Sequence, residues 1–383
     1  MSQRLDIVTS LTEINPEHWN QLGEADYPFT RHEFLLALEQ QDCLHEFGWQ
    51  PVYFTLFVDD ILTAAIPCYI KNNSYGELVF DHSWAQAYER SGRAYYPKLV
   101  SAIPYTPATG PRFLLHSSII NTAQQDELKK TLINCIKSFC RDQQLSGWHL
   151  LFERENVAKT LVSEGMLLRY DCQFHWTNQN YHNFDDFLSR LTSRKRKNIR
   201  KERAQVAEHK LTIKQLHGDE LSAQQWTRVY RLYAGIFQRK NGTATLTEHF
   251  FQTIGKILKH RVMVVLAFDQ DEIIAASVFF VSDSTLFGRV WGCDEYYQHL
   301  HFECCYYQGI DYCIKNGLQK FDPGAQGEHK ISRGFLPTKT YSAHWLIEPE
   351  FHKIIDNFLQ QEERYITEYC RELEVKSPYR QDL

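Results

Sequence analysis

The stretch Thr285–Trp345 constrains this chain most, because its apolar period changes within it and then stops. Thr285–Trp291 alternates and is rich in aromatics, which is the period of a strand. From Phe302 the apolar residues recur at helical spacing, through Phe302, Cys305/Tyr306, Gly309/Ile310 and Cys313/Ile314. Asn316-Gly317 ends that helix, since glycine accepts the left-handed conformation after a helix end. Gln319–Phe321 restarts an extended run, and FDPGAQGEHK follows where that strand opens out. A strand–helix–strand unit presents its polar ends in the crevice beyond the strand C-termini, where ligands sit in open sheets. That crevice would hold Asp322, Glu328, His329, Lys330 and Arg333.

The same design occurs twice. Val262–Phe268, Ile273–Val281 and Thr285–Trp291 form one three-strand meander before the helix. Val52–Val58, Ile61–Ile70 and Glu77–Phe80 form another, followed by a helical stretch near Gln86–Ser101. The Asp59-Asp60 pair and the Asn/Ser/Gly clusters between these runs are hairpin signals. Repetition on this scale points to two similar domains. At 383 residues the chain exceeds one ordinary core. The expected division is residues 1–178 and 179–383, with the junction in the amide-rich Thr177–Asn183.

Other expected elements are a strand at Leu5–Val8, helical spacing in Phe29–Glu46, a loop at Pro104–Arg112 and an amphipathic helix at Asp126–Arg141. Strands at Trp148–Phe152 and Arg169–Trp176 follow, and Glu350–Leu373 closes the chain as a long helix. The net charge of −5 gives no general attraction to nucleic acid. Ten cysteines without CxxC spacing predict no metal site and reduced thiols, hence a cytoplasmic protein. No apolar run approaches the ~20 residues that cross a bilayer.

Meander, helix and strand, repeated twice, resemble a tandem of GNAT-type acyltransferase folds. The motifs YYPKLVSAIPYTPATGPRFL (Tyr95–Leu114), HFECCYYQGIDYC (His301–Cys313) and FDPGAQGEHKISRGFLPTKTYSAHW (Phe321–Trp345) resemble the FemAB-like, Fem-related family. The basic LTSRKRKNIRKER segment (Leu191–Arg203) is similar to one near the start of the second domain in Fem-type ligases. The resemblance spans roughly Tyr27 to Cys370. It implies an α/β (α+β) fold of two GNAT-like domains, with the catalytic motif in the second. It implies N-acyl or aminoacyl transfer to an amine, linked to peptidoglycan precursors. Acyl-CoA or aminoacyl-tRNA would be the co-substrate, with no tightly bound cofactor.

Such a transfer needs an unprotonated amine, a cation near the developing oxyanion, and proton delivery to the leaving group. Lys330, after Gly324 and Gly327, matches the position of a lysine that follows an F-D-x-G strand end in Fem-type proteins. The match implies transition-state or phosphate stabilisation. Asp322 and Glu303 are the candidate bases; a turn-forming aspartate and a helix-first-turn acid are their structural alternatives. His329 is a candidate proton shuttle, and Arg333 a bidentate partner for carboxylate or phosphate. Between Arg190 and Arg203 stand eight basic residues and one acid. With Ser193 as N-cap, Arg194, Lys195, Arg196 and Lys197 crowd the positive helix end, each unfavourable by about 0.3–1 kcal/mol unless an anion answers it. Leu188, Leu191, Ile199 and Val206 would face inward, and a solvated face is the alternative. In the first domain His82, Tyr105 and Arg112 are candidates for acceptor binding, with Lys98 beside them. Interface hydrogen bonds are their alternative.

Two further readings compete. The loop DEYYQHLH (Asp294–His301) has no glycine, unlike the pyrophosphate loop of acetyl-CoA enzymes. Leu211–Lys259 lacks the extended heptads of the Fem helical hairpin. The first departure, together with the basic helix, motivates a non-catalytic module that recognises peptidoglycan precursor or RNA, and the second means that peptidoglycan bridge synthesis does not simply carry over. A thiol hydrolase at Cys304 or Cys305, with His301, is the third reading.

Overall fold

The computed structural model describes residues 2–325 and 327–380. In chain order the strands are β1 (Gln3–Val8), β2 (Trp49–Val58), β3 (Ile61–Lys71), β4 (Lys98–Ser101), β5 (Leu114–Leu115), β6 (Gly147–Glu153), β7 (Leu167–Thr177), β8 (Thr212–His217), β9 (Val262–Asp269), β10 (Glu272–Val281), β11 (Thr285–Cys293), β12 (Lys320–Asp322) and β13 (Leu336–Leu346). They belong to two α/β units. The first runs to Asp171 and takes back Lys339–Glu368; the second is Cys172–Thr338 and the residues from Tyr369 onward.

A single cut near residue 178 therefore does not describe the chain. Tyr341 and His344 of β13 pair antiparallel with Glu153 and His149 of β6. The closing helix Pro349–Glu374 buries Phe351, Ile355 and Leu359 beside Trp84, Tyr88 and Tyr95 of the first unit. Both contacts are non-local, so local composition does not announce them.

The first unit orders its strands β1-β2-β3-β4-β6-β13 and the second β7-β12-β11-β10-β9-β8. In each, antiparallel strands lead to one parallel pair, β4 with β6 and β11 with β12. Helix Thr122–Asp142 lies between β4 and β6 in sequence. It buries Leu128, Leu132, Ile133 and Ile136 in one cluster with Phe54, Ile66 and Trp148. The expected repeat is present: β1 to β4 correspond in order to β8 to β11.

Two details of the first meander differ from expectation. Glu77–Phe80 is not a strand; the strand that continues the sheet is β4. The stretch Gln86–Ser101 is not one helix. A helix spans His82–Arg90, Gly92 stops it at φ +73, and Pro97 cannot donate to a continuing turn. The first hairpin turns as expected at Asp59-Asp60, both at positive φ (49° and 62°).

In the second unit the strands β9, β10 and β11 match the expected runs. The helix after them contains a π-turn, Glu303–Tyr307, between Leu300–Phe302 and Gln308–Asn316. One extra residue in a turn rotates the inward face. Cys304 and Tyr307 thereby become fully buried, in place of Cys305 on the expected stripe. The basic helix is Ser193–Glu208, with Thr192 rather than Ser193 at its N-cap. Leu188, Leu191, Ile199 and Val206 are buried as expected.

Candidate functional site

The polar segment after β12 folds into a tight turn held on β11. Gly324 has φ +90, and a Cβ there would come within 3.3 Å of the Gly288 carbonyl. Asp322 is 3% exposed and forms a two-pronged ion pair with Arg289, at 2.8 Å and 3.3 Å. Its Oδ1 also accepts the Gly324 N–H at 2.9 Å, and His175 Nε2 lies 3.8 Å away. Burial works to raise the Asp322 carboxyl. The Arg289 and His175 charges outweigh it and hold the pKa near 2. An acid held that low is a weak proton acceptor, so the geometry gives the Asp322 base role no support.

Lys330 lies in the 3-10 segment Glu328–Arg333 and is 2% exposed. Its Nζ donates to the carbonyls of Gly324 (2.7 Å) and Ala325 (3.2 Å). Burial pushes the Lys330 pKa down to about 8; Asp322 pulls it up and Arg289 pushes it further down. An ammonium has three donors. The third has no partner among the described residues.

Around this turn the other candidates are already engaged. Glu303 accepts both prongs of Arg203, at 3.1 Å and 2.9 Å, and the Gln308 amide at 2.8 Å. Arg203 also reaches Asp311 at 3.1 Å. Arg333 donates to the His329 carbonyl and to Glu202, both at 2.8 Å, and lies over the Phe302 ring. Tyr307 donates to the same Glu202. Glu303 and Arg333 thus lock the π-turn and the 3-10 segment to the basic helix instead of facing solvent. His329 is exposed, with Nε2 2.9 Å from the Tyr306 hydroxyl. Partial burial, Arg333 and Lys330 all lower its pKa, so it is neutral at pH 7.

The basic helix divides by function along its length. Glu202 and Arg203 are tied down. Arg194, Lys195, Arg196, Lys197 and Lys201 have no ionic partner among the described residues, and Arg200 pairs with the exposed Asp185. The loop Asp294–His301 is closed by an Arg228–Asp294 ion pair, and His299 adopts φ +65.

The thiol reading loses its chemistry. Burial pushes the Cys305 thiol up to about 12 and also raises Cys304 well above its ordinary value, so neither is a thiolate near neutrality. Cys305 meets Ser277, and His301 packs among Trp291, Phe302 and Tyr306.

In the first unit Arg112 is fully buried. It donates to the carbonyls of Ala108, Gly110, Pro111 and Leu151, so it clamps its own loop and presents nothing to a ligand. Tyr105 donates to the Cys43 carbonyl at 2.6 Å. His82 is exposed at the rim of an open depression of ≈ 610 Å³ floored by Tyr95 and Tyr96. Beneath them Lys98 meets Ser74, Glu77 and Asp81.

Arg289, His175, Glu202 and Arg203 were missed in the sequence. Arg289 carried a signal, being the one charged residue in an otherwise apolar and aromatic strand run. The partners of Glu202 lie 105 and 131 residues away, which no spacing reveals.

A model of the family described as peptidoglycan biosynthesis/recognition matches residues 10–381. The chain belongs to the FemAB-like family. No curated protein sequence is significantly similar to it. Among solved structures, FemX is 9% identical, with 93% of this chain and 100% of that chain covered and a TM-score of 0.52. The C-terminal domain of a putative lysylphosphatidylglycerol synthetase from Agrobacterium fabrum is 7% identical over 92% and 96%, with a TM-score of 0.51. A tandem GNAT protein from the clavulanic acid biosynthesis pathway is 8% identical over 90% and 99%, at 0.44. The likeness to FemX agrees with the mixed α/β fold expected, strands and flanking helices in two units. Among the described residues, no helix is long and apolar enough to cross a membrane.

Proposed function

We propose that this FemAB-like protein is an N-acyltransferase that moves an aminoacyl group from tRNA to an amine of a peptidoglycan precursor. One observation carries the reading: Lys330 is a buried ammonium after a strand C-end with one N–H unengaged among the described residues. Fixed donors aimed at developing charge are the main source of rate in acyl transfer. In this reading the acceptor nitrogen attacks the ester carbonyl, and the Lys330 N–H meets the oxyanion that forms. The C–N bond forms, the ester C–O bond breaks, and the ribose oxygen leaves with a proton. His329, neutral and exposed, takes the proton from the attacking amine. Asp322 and Glu303 instead hold the turn and the helix.

The cations at the start of the basic helix, without an ionic partner among the described residues, support a polyanionic donor over acyl-CoA. The donor is a co-substrate, and the reading needs no resident cofactor. Ten cysteines, none in a disulfide, support a reducing, cytoplasmic setting. A second reading, the recognition module, is favoured by the arginines that occupy both acidic candidates.

The test offers purified protein a pool of radiolabelled aminoacyl-tRNA, or labelled acetyl-CoA, with a muramyl-pentapeptide precursor bearing a free amine. Label should pass from tRNA, and Lys330→Met should abolish transfer while the protein stays folded. Label from acetyl-CoA alone would replace the donor. Precursor or RNA binding without transfer from either would establish the recognition module.

A further inference from the structure

We propose that Arg289 is a positioning residue for Lys330: through Asp322 it holds the turn whose carbonyls seat the lysine ammonium. The inference rests on the reading of Lys330 given above, and it is carried by an unbroken chain of contacts. Arg289 stands on β11, whose Phe287 lies in register with Asp322 of the parallel β12. Its side chain is 5% exposed and its two terminal nitrogens grip both oxygens of Asp322. Asp322 Oδ1 in turn holds the Gly324 amide, and the Gly324 carbonyl accepts from Lys330 at 2.7 Å. A second contact fixes the other side, since Arg289 Nη1 also donates to the Gly288 carbonyl at 2.7 Å. That carbonyl is the atom a Gly324 side chain would press against.

The fork matters, not only the charge. A guanidinium spans two carboxylate oxygens in one plane, and an ammonium cannot. With one oxygen of Asp322 fixed and the other free, the carboxylate turns and the Gly324 amide loses its acceptor. The titratable groups that act on Lys330 are Asp322, Arg289 and the neutral Cys305 thiol, while Lys330 itself acts on His175, His301 and His329. Arg289→Lys leaves all of these formal charges in place, so it separates position from charge. Asp322→Asn does the reverse, since asparagine keeps the shape and one acceptor oxygen but removes the charge.

The experiment reads the turn without any substrate. Deuterium exchange is followed at the Gly324 amide, and Lys330 is titrated by pulsed acetic anhydride labelling with mass spectrometry, in the full chain. Arg289→Lys should speed Gly324 exchange about tenfold, the loss of one charge-assisted bond, and should speed Lys330 labelling at fixed pH. Asp322→Asn should lower the Lys330 midpoint, because the largest charge that favours the ammonium is gone. Unchanged Gly324 exchange and Lys330 labelling in folded Arg289→Lys would overturn the proposal. If that variant does not fold, Arg289→Gln takes its place, and unchanged Gly324 exchange and Lys330 labelling in the folded protein overturn the proposal instead. Retained transfer by Lys330→Met would refute the function and leave this structural result standing, so the two failures are distinguishable.

Discussion

Lys98→Met is the perturbation whose cost the first unit makes most legible. Lys98 is 0% exposed, and its partners Glu77 and Asp81 are 1% and 3% exposed at their side chains. Methionine keeps much of the volume and removes the charge, which leaves two buried carboxylates facing each other. Breaking a buried pair in this way costs about 3–5 kcal/mol. For a unit of roughly 200 residues that is a fall of about 6–20 °C in its melting transition. The pH dependence has a definite sign. Burial works to raise the Asp81 carboxyl, but Lys98 outweighs it and holds the carboxyl below its ordinary value. Asp81 therefore adds stability above its unfolded pKa of about 3.9, which is lost as pH falls toward the depressed value. Burial raises Glu77 to about 7. Its contribution is present below about pH 4.3 and is lost as pH rises through 7. Without Lys98 both carboxyls climb, so the defect is large at pH 8 and shrinks at pH 5, where both can protonate. Calorimetry with tryptophan fluorescence at the two pH values measures it. Adding Glu77→Gln and Asp81→Asn should recover most of the loss at pH 8. A Lys98→Met protein that melts with the native one, or a triple variant no better than the single, would refute the argument.

Two shorter predictions concern the second unit. If the Lys330 ammonium is the oxyanion donor, transfer falls on the alkaline side with a midpoint near 8, where it loses its proton; a rate that still climbs past pH 9 excludes that role. Reversing Arg194, Lys195 and Lys197 to glutamate does not lower the melting transition, since none has an ionic partner among the described residues and acids suit a helix N-terminus. In a filter-binding assay it weakens tRNA binding and reduces the salt slope by about one per cation lost from a phosphate; an unchanged slope removes this helix from the donor site.

What could be read from the sequence was what is periodic. The strands of the second meander lie where the alternation put them, and the segment after β12 was conspicuous because glycine and charge replaced apolar residues there. Contacts set by tertiary register were not readable. Arg289 reaches Asp322 because β11 and β12 run parallel, and 33 residues separate the two. Residues 339–368 return to the first unit because β13 pairs with β6, a choice that no local signal makes. Arg112 looked like a ligand grip because arginine commonly is one; backbone carbonyls of its own loop and of β6 close around it instead. Glu77 read as part of a strand, but a buried carboxylate facing Lys98 needs a loop that bends inward.

Three lysines among the described residues are almost wholly buried, and their differences separate structure from chemistry. Lys98 gives its three donors to Ser74, Glu77 and Asp81. Lys71 gives its own to Phe47, Asn73 and Tyr75, with the ammonium 3.9 Å from the centre of the Trp49 ring. Each is saturated and ties a loop to its strand, and each can be explained without a ligand. Lys330 is almost as buried but has two acceptors among the described residues. Keeping a charged group out of water with a donor unused is costly. The cost falls if something else supplies an acceptor. An oxyanion that appears only during the reaction meets that need, and a pKa near 8 keeps most of the lysine charged at neutral pH. The burial of Lys330 thus matches that of the two structural lysines, and the third position, unfilled among the described residues, is what the proposed oxyanion role rests on.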